Sequence, residues 1–310
     1  MRLSVVIATH NPDVPRLKRT LRGLQGQSLP LAEWEIILVD NASRPALQLS
    51  RVLADFPPNL RFAVEPRLGL SNGRRCGLST ATGAVAVLVD DDNVLAPDYL
   101  ATVLALFDRE PRLGALGGKS IGEFEVPPPA WTAEFHPLLA LRDLGDAALI
   151  SHGLRPANGA RNEYPAFAPI GAGMALRRPA WEAWLGARQH SAGPSDRRGA
   201  ELTSGGDNDI VLCAMRAGWE IGYFPELSLT HLIPATRLDP HYLARLNHGI
   251  QKSWMQVLNL HDANPWPALS WAGAVARKIK AFVAHRPWTS SAAGIRWAGA
   301  CGHFEGRVRS

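Results

Sequence analysis

The first half of the chain alternates short, uninterrupted apolar runs with segments of helical periodicity, and no other feature limits the fold as strongly. Because the apolar residues of each run follow one another without polar alternation, both faces of each strand should be covered by helices. The sequence therefore predicts an open α/β sheet, mostly parallel and Rossmann-like, with flanking helices. The predicted strands are residues 4–9, 35–40, 60–65 and 84–90, and the predicted helices lie around residues 14–24, 46–56, 71–82 and 97–109, the last beginning at Pro97.

The composition indicates a folded chain with a large core. Of 310 residues, 46% are hydrophobic and 20% are charged, which excludes wholesale disorder. No apolar stretch reaches the roughly 18–20 residues that a membrane-spanning helix needs, and Met1 leads directly into a strand-like run instead of a signal peptide. Cys76, Cys213 and Cys301 are far apart in the sequence, which argues against a disulfide framework or a zinc site. We therefore expect a cytoplasmic protein.

The net charge of +5 is concentrated at the C-terminal end of the chain. Residues 271–310 contain seven Lys and Arg residues against Glu305 alone, which leaves a net charge of about −1 for residues 1–270. A protein that binds nucleic acid through its main domain carries its positive charge on that domain. No nucleic-acid partner is therefore expected.

Residues 271–286 have the periodicity of an amphipathic helix with basic residues beside an apolar stripe. Five of the ten tryptophans lie beyond residue 250. Basic residues combined with tryptophan are typical of helices that lie on an anionic membrane surface, but the helix can equally fold back onto the main domain. The stripe consists of Ala272, Val275, Ala276, Ile279, Phe282 and Val283.

Three adjacent aspartates, Asp90, Asp91 and Asp92, follow the predicted strand 84–90. Their carboxylates repel one another unless they face solvent as an acidic turn or hold a cation. Oxygen ligands suit a hard cation such as Mg²⁺ or Mn²⁺, which also binds substrate phosphates. Ligands of open α/β sheets bind in the crevice beyond the carboxyl ends of the strands, where these aspartates should lie.

Polar side chains also follow the first two predicted strands. Thr9, His10 and Asn11 end the first strand, and Asp40 and Asn41 end the second. Small polar groups from neighbouring strand ends are typical of a nucleotide pocket. The Asp40 carboxylate can accept a hydrogen bond from a base or cap the loop that follows it.

Several cationic side chains stand where they can reach a diphosphate. Arg74 and Arg75 follow a glycine-rich turn, and a guanidinium there can donate paired hydrogen bonds to phosphate oxygens, or lie on the surface at a helix start. His231 and Arg237 follow a later predicted strand, where the imidazole can reach a metal or the diphosphate and Arg237 can neutralise a leaving group.

Five segments, taken in order and spacing, resemble the family 2 glycosyltransferases of the GT-A fold, and the resemblance covers about residues 1–235. It implies an inverting enzyme that transfers a sugar from a nucleoside diphosphate donor, most often a UDP-sugar, with a divalent metal. The segments are VVIATHNP at 5–12, ILVDNAS at 37–43, RLGLSNGRRCGLSTATGAVAVLVDDDN at 67–93, GAGMALRRPAW at 171–181 and GGDNDIVLCAMRAG at 205–218.

The resemblance assigns roles to individual residues of this sequence. Asp90 and Asp92 match the ends of the family's DxD motif, so Asp92 is the expected metal ligand, with His231 as a second ligand. Thr9, Asn11 and Asp40 match base-binding positions, and Arg74 matches the arginine of a GxSxARN-like turn. The complete donor-binding set is Thr9, Asn11, Asp40, Asn41, Arg74, Asp90 and Asp91.

Asp207 matches the central aspartate of the family's acidic motif, commonly Glu-Asp-x-Glu, and is therefore the expected catalytic base. Asp209 takes the last acidic position of this motif, but Gly206 replaces its first glutamate. Two other departures are Gly73 in place of alanine and Arg75 in place of asparagine in the glycine-rich turn. Both aspartates precede a helical run, so they can also stabilise a helix N-terminus.

The resemblance implies a GT-A catalytic domain over residues 1–235, followed by a helical, basic extension over residues 236–310. Residues 1–120 should bind the nucleotide-sugar, and residues 121–235 should bind the acceptor and provide the base. Regularity falls between residues 122 and 200, and such long irregular segments are usually functional loops, here on the acceptor side.

The expected activity is a metal-dependent, inverting transfer of a sugar to a hydroxyl of a glycan or lipid-linked acceptor, in polysaccharide or glycolipid biosynthesis. If the tail binds lipid, the enzyme should act at the inner face of the membrane. A sugar-nucleotide-forming nucleotidyltransferase is an alternative, but NPDVPRLKR at residues 11–19 replaces its usual phosphate loop. An oxidoreductase would need GxGxxG there. The remaining alternative is a non-catalytic module that binds nucleotide-sugar.

Overall fold

The fold is taken from a computed structural model that describes residues 1–48, 59–151, 156–157, 161–162, 164–189, 193 and 202–308. A mixed, nine-stranded sheet forms its centre. The strands of this sheet are β1 (Leu3–Thr9), β2 (Trp34–Asp40), β3 (Leu60–Val64), β4 (Val85–Val89), β5 (Asn93–Leu95), β6 (Leu113–Phe124), β7 (Leu149–Ser151), β10 (Ala175–Arg177) and β11 (Glu220–Ile233). The short strands β8 (Pro156–Ala157) and β9 (Arg161–Asn162) pair with each other.

Eight α-helices and three 3₁₀ helices lie in the described ranges. The α-helices are α1 (Val14–Gln25), α2 (Leu70–Thr80), α3 (Tyr99–Arg109), α4 (Arg178–Ala187), α5 (Gly206–Arg216), α6 (Pro240–Leu260), α7 (Trp271–His285) and α8 (Ser291–Gly306). The 3₁₀ helices are Leu31–Glu33, Ala130–Leu139 and Ala235–Leu238.

The sheet order is β3-β2-β1-β4-β10-β6-β11-β5, with β7 paired to β11. Strands β1 to β4 are parallel, and β6 is parallel to β11, whereas β10 runs antiparallel between β4 and β6. In the β1–β2 register, Thr9 lies opposite Asp40. The polar ends of the first strands therefore meet at one edge of the sheet. The predicted α/β class, its mostly parallel sheet and its helical C-terminal region are confirmed.

The continuous apolar runs arise because helices cover both faces of the sheet. Along β1, Val5 and Ile7 are fully buried in one core cluster with Leu21 of α1, while Val6 lies in a second cluster with Leu78 of α2. Successive side chains of a strand point to opposite faces, so each face of β1 packs on its own helical layer. Burial on both sides favours apolar residues, and the buried polar pair Ser4 and Glu35 is joined by a hydrogen bond of 2.8 Å.

The element boundaries differ from the predictions by one or two residues in most cases. Helix α3 begins at Tyr99, so the prediction that Pro97 occupies the first helical position is wrong. Asp98 precedes the helix, and the Tyr99 amide closes a turn onto the Ala96 carbonyl. Most of the helix predicted around residues 46–56 lies outside the described residues, which stop at residue 48 and resume at residue 59.

The C-terminal helices form a bundle that packs against the 3₁₀ helix Ala130–Leu139. Helices α6 and α8 approach closely because α8 presents glycines: a Cβ on Gly302 would lie 2.1 Å from the His248 carbonyl oxygen. A bidentate ion pair between Arg296 of α8 and Glu134 also joins the bundle to that 3₁₀ helix. A single apolar cluster spans the contact and contains Phe135, Leu139, Ile233, Leu238, Leu243, Leu246 and Ile295.

Within the described ranges, none of the helices combines the length and the apolar character needed to cross a bilayer. The predicted boundary between residues 235 and 236 falls between β11 and α6, and division into two domains there stays a prediction.

Candidate functional site

A cavity of about 270 Å³ opens at the carboxyl ends of β1, β2 and β4. Parallel strands place their carboxyl ends at one edge of the sheet, and this is where the predicted polar residues converge. Eight of the ten predicted site residues line the cavity, whereas Asn11 and Asp40 do not. The eight are Thr9, Asn41, Arg74, Asp90, Asp91, Asp92, Asp207 and His231.

The three aspartates form the turn between β4 and β5. The Asn93 amide donates to the Asp90 carbonyl (3.1 Å), and the Leu232 amide of β11 donates to the Asp92 carbonyl (2.8 Å). The Thr9 hydroxyl donates a short hydrogen bond to the Asp91 carboxylate. Burial and the neighbouring charge of Asp92 nevertheless raise the pKa of Asp91 to about 7. This crowding of carboxylates is relieved by a cation or by protonation.

Asp92 faces two side chains, one from β11 and one from the 3₁₀ helix Ala235–Leu238. Its Oδ1 lies 3.3 Å from Nε2 of His231, and its Oδ2 lies 3.6 Å from a guanidinium nitrogen of Arg237. His231 reaches this place because its β11 position pairs with Asn93, the residue after Asp92. In the described part of the chain, Nδ1 of His231 has no hydrogen-bond partner, so Nε2 can face Asp92 as a donor or as a ligand nitrogen.

These residues fit a divalent cation. Asp92 offers carboxylate oxygen, His231 offers imidazole nitrogen 3.3 Å away, and the carboxylates of Asp90 and Asp91 line the same cavity. A small set of oxygen ligands with room for substrate oxygens suits Mg²⁺ or Mn²⁺, and imidazole favours the less hard Mn²⁺ of the two.

Arg74 is buried in the first turns of α2 and donates to Asp90 Oδ1 at 3.2 Å. Its guanidinium lies against the backbone of Gly171, where a Cβ would stand only 2.5 Å from a guanidinium nitrogen. The Gly171 amide donates to Asp207 Oδ2 at 3.0 Å. Gly171 thus touches both the predicted donor-binding arginine and the predicted base.

Asp207 lies in the first turn of α5 and points into the cavity wall. Besides the Gly171 amide, it accepts from the amide of Asn208 at 3.0 Å. That amide is one of those that a helix leaves unpaired at its N-terminus, so Asp207 does stabilise the helix start as the alternative interpretation required. The two backbone donors also fix the carboxylate at the cavity edge.

Asp209 points away from the cavity into a buried network. Its carboxylate accepts from Trp184 Nε1 (2.7 Å) and Arg188 Nε (2.8 Å) and lies 2.7 Å from Nε2 of His261. Burial would raise the pKa of Asp209, but the hydrogen bonds from Arg188, His261 and Trp184 outweigh it and lower the pKa. His261 follows α6, so the C-terminal bundle holds the helix that carries Asp207.

Asp209, Cys213 and His261 place ligand atoms within 4.8 Å of one another, a spacing compatible with a metal ion. Two features disfavour metal binding there. The Arg188 guanidinium already neutralises Asp209. Burial raises the pKa of the Cys213 thiol to about 12, whereas a metal needs the thiolate. We therefore regard this cluster as structural.

Asp40 and Asn11, the two predicted residues outside the cavity wall, hold the loop after β2. Asp40 accepts from the amides of Ser43 (3.1 Å) and Leu47 (2.9 Å), and Asn11 Oδ1 accepts from the amide of Arg44 (2.7 Å). This is the capping alternative raised for Asp40. Base binding by these two residues stays a prediction.

Asn41 uses its whole amide to fix the next loop. Its Nδ2 donates to the carbonyls of Glu65 (3.0 Å) and Arg67 (2.8 Å), and its Oδ1 accepts from the Gly69 amide (2.8 Å). The side chain therefore shapes the cavity rim ahead of α2, and direct donor contact by Asn41 stays a prediction.

The structure gives a physical reason for one departure from the family pattern. A Cβ on Gly73 would lie 2.9 Å from the Ala8 Cβ, so glycine lets α2 approach β1. Arg75, the other departure in this turn, is absent from the residues that line the cavity. It lies near Glu65, whose pKa is lowered mainly by Arg67 and less by Arg75.

Sequence reasoning missed part of the cavity wall. Leu139, Ala140 and Ser204 line it but have no chemical signature, and Leu139 belongs to a 3₁₀ helix in a stretch predicted to be irregular. Gly171 was noted only as part of a motif. Its role could have been sought there, because glycines such as Gly171 and Gly173, two residues apart, often mark a close backbone approach.

Comparisons with known proteins point to one family. The sequence model of glycosyl transferase family 2 matches residues 4–183. The succinoglycan biosynthesis protein ExoM of Rhizobium meliloti is 24% identical over 261 residues, which cover 77% of this chain and 75% of ExoM. The uncharacterized protein y4gI of Sinorhizobium fredii is 31% identical over 113 residues, 35% of this chain.

Among solved structures, a fragment of TarS from S. aureus in complex with UDP matches with a TM-score of 0.50 and 14% sequence identity, over 98% of this chain and 89% of the fragment. At this identity the match is one of fold. The chain spans 12% of the length of y4gI and 44% of a longer TarS chain, whose TM-score is 0.52.

Proposed function

Because the chain belongs to glycosyl transferase family 2, we propose that it transfers a sugar from a nucleoside diphosphate donor, with UDP as the nucleotide, to a hydroxyl of a glycan or lipid-linked acceptor. One observation carries the proposal: Arg74, the Asp90–Asp92 turn and Asp207 line a single cavity at the strand ends. The UDP in the TarS fragment supports the choice of nucleotide, and the name of ExoM, a succinoglycan biosynthesis protein, supports a role in polysaccharide synthesis.

The donor diphosphate is proposed to lie between Arg74 and the aspartate turn. Arg74 is buried and oriented by Asp90, so its guanidinium is already ordered at the cavity wall where phosphate oxygens would lie. Arg237, which also lines the cavity and lies 3.6 Å from Asp92, is placed to neutralise the departing nucleotide. Its guanidinium is held over the ring of Tyr242, 5.7 Å from the centroid.

Asp92 and His231 are proposed to hold Mn²⁺ or Mg²⁺. When bound, the cation would supply positive charge to the diphosphate oxygens. Asp92 is suited to this task because it lines the cavity, with His231 and Arg237 beside its two carboxylate oxygens. Asp91 would keep its Thr9 hydrogen bond and shape the turn.

Asp207 is proposed to act as the general base. The acceptor hydroxyl attacks the anomeric carbon, the bond from that carbon to the phosphate oxygen breaks, and the hydroxyl proton passes to the Asp207 carboxylate. Attack from the face opposite the diphosphate inverts the anomeric centre. The Gly171 and Asn208 amides fix the carboxylate, so little reorganisation is needed when it accepts the proton.

A nucleotide-release assay tests this function. The protein is incubated with a panel of nucleotide-sugars, Mn²⁺ and candidate acceptors, and free nucleoside diphosphate is measured. We expect Asp207→Asn to slow release by about 10²–10⁴-fold, as loss of a general base does, while UDP titration stays close to wild type.

The matched control is Asp108→Asn, an exposed aspartate remote from the cavity, which should leave turnover unchanged. Turnover by Asp207→Asn close to wild type would remove the assigned base. Binding of UDP-sugars without release of UDP would instead favour a non-catalytic module. Pyrophosphate release from a nucleoside triphosphate and a sugar phosphate would favour a nucleotidyltransferase.

A further inference from the structure

Helix α7 buries its small residues and exposes its large ones, the reverse of an ordinary surface helix. Ala274 and Ala281 are buried, whereas Ile279 is 62% exposed and Val283 is 64% exposed. The stripe predicted from the sequence thus faces outward although the helix packs on its neighbour, α8. Exposed apolar residues scattered singly are ordinary, but a continuous helical face of them marks an interaction surface.

Two tryptophans extend this face at both ends of the helix. Trp271, the first residue of α7, is 74% exposed, and Trp288, just beyond its end, is 64% exposed. Phe282 joins Trp288 to the helix, with ring centroids 5.1 Å apart. We name the five exposed residues Trp271, Ile279, Phe282, Val283 and Trp288 the apolar face.

The segment that carries the apolar face also carries positive charge. Residues 271–290 contain four Arg and Lys residues and no Asp or Glu. Lys278 is turned inward and pairs with Glu305 at 2.8 Å, while Arg277, Lys280 and Arg286 are exposed. A second copy of the chain docked face to face would bring these like charges together, which disfavours self-association. An anionic lipid surface complements both the charge and the apolar side chains.

We propose that the apolar face of α7 binds an anionic lipid bilayer, with its aromatic and aliphatic side chains in the headgroup region and its basic residues at lipid phosphates. This inference rests on the proposed function in one respect: membrane binding would bring the enzyme to a lipid-linked acceptor. Lipid binding itself is measured without turnover, so the two can fail separately.

The experiment is co-sedimentation of the full chain with vesicles of phosphatidylcholine alone or mixed with phosphatidylglycerol. We expect the wild type to pellet with the mixed vesicles and much less with the neutral ones. The double variant Ile279→Asp/Val283→Asp should bind the mixed vesicles at least about tenfold more weakly, because two inserted apolar side chains become charged. Arg277→Gln and Lys280→Gln should each weaken binding about fivefold.

Val64→Asp is the matched control, since Val64 is equally exposed but lies on β3. It should pellet like the wild type. The proposal would be overturned if Ile279→Asp/Val283→Asp pelleted as much as the wild type. It would also be overturned if the wild type bound neither kind of vesicle. A third contradicting result would be a wild-type protein that self-associates in sedimentation velocity but binds no vesicles, together with a double variant that no longer self-associates. The double variant should unfold in urea at the wild-type midpoint, which shows that its fold is intact.

Discussion

Replacing Gly171 by alanine inserts one methyl group between Arg74 and the backbone that holds Asp207. The new Cβ would lie 2.5 Å from one guanidinium nitrogen of Arg74 and 3.1 Å from its Cζ. Gly171 is not among the residues with positive φ, so alanine suits the backbone and the effect acts through the contact alone. The guanidinium must move by roughly 1 Å to reach an ordinary van der Waals separation.

That displacement has a calculable consequence. The hydrogen bond from Arg74 to Asp90 is 3.2 Å long, at the far end of the usual range, and a shift of this size breaks it. A hydrogen bond to a charged group contributes about 1.5–3 kcal/mol. If the same guanidinium holds the diphosphate, we expect UDP to bind about 10- to 150-fold more weakly in Gly171→Ala.

Isothermal titration with UDP and Mn²⁺ measures this effect. Gly186→Ala in α4 is the matched control, because no atom lies within 4 Å of its added Cβ. We expect the control to bind UDP like the wild type. If Gly171→Ala did so as well, Arg74 would not contact the nucleotide, and the proposed placement of the diphosphate would be wrong.

Three further predictions concern the cation, acid stability and the C-terminal bundle. Asp92→Asn should abolish the dependence of UDP binding on Mn²⁺, because an amide is a weaker ligand than a carboxylate; an unchanged Mn²⁺ titration would contradict the ligand assignment. Glu35 is buried, which alone would raise its pKa, but hydrogen bonds from Thr82, Ser4 and Arg61 lower the pKa to about 2. A carboxyl with a depressed folded-state pKa stabilises the fold above its unfolded pKa and loses that contribution as the pH falls toward 2. Glu35→Gln should therefore remove about 3 kcal/mol of unfolding free energy at neutral pH. The variant should also lose less stability than wild type between about pH 4.5 and 2. Parallel acid-denaturation curves for variant and wild type would show that Glu35 is not the group responsible. Gly302→Ala should destabilise the protein by about 1–3 kcal/mol in urea, because its Cβ meets the His248 carbonyl, whereas Gly294→Ala on the same helix should not; equal midpoints would contradict the close packing of α6 and α8.

The sequence predicts the sheet and the position of the site well because one physical cause underlies both. Strands buried on both faces are mostly apolar, so the polar residues that follow an apolar run mark where the strand ends. Thr9, Asp40 and Asp90 all follow apolar runs in this way. Parallel pairing then brings those ends to one edge of the sheet.

Side-chain direction and tertiary contact were beyond the reach of the sequence. Asp40 turns toward the 43–47 loop although Asn41 lines the cavity, a difference set by the backbone after β2. Leu139 reaches the wall from a 3₁₀ helix that contains Pro137, which has no apolar periodicity to detect. The apolar stripe of α7 was visible, but which face of that helix its neighbour would cover was not.

Phe135 and Leu139 belong to the 3₁₀ helix beside the cavity and pack in one apolar cluster with residues of the C-terminal bundle. The position of the cavity wall therefore depends on the bundle. A protein shortened at residue 235 would lose four of the seven buried residues of this cluster, and the side of Phe135 and Leu139 that faces the bundle would be exposed to water. A change in the kinetics of the shortened protein would therefore reflect a loosened cavity wall, and it would not show that the missing helices act in the reaction. In related chains, exchange of these terminal helices should therefore be accompanied by changes in the 130–139 helix, so that the two surfaces continue to match.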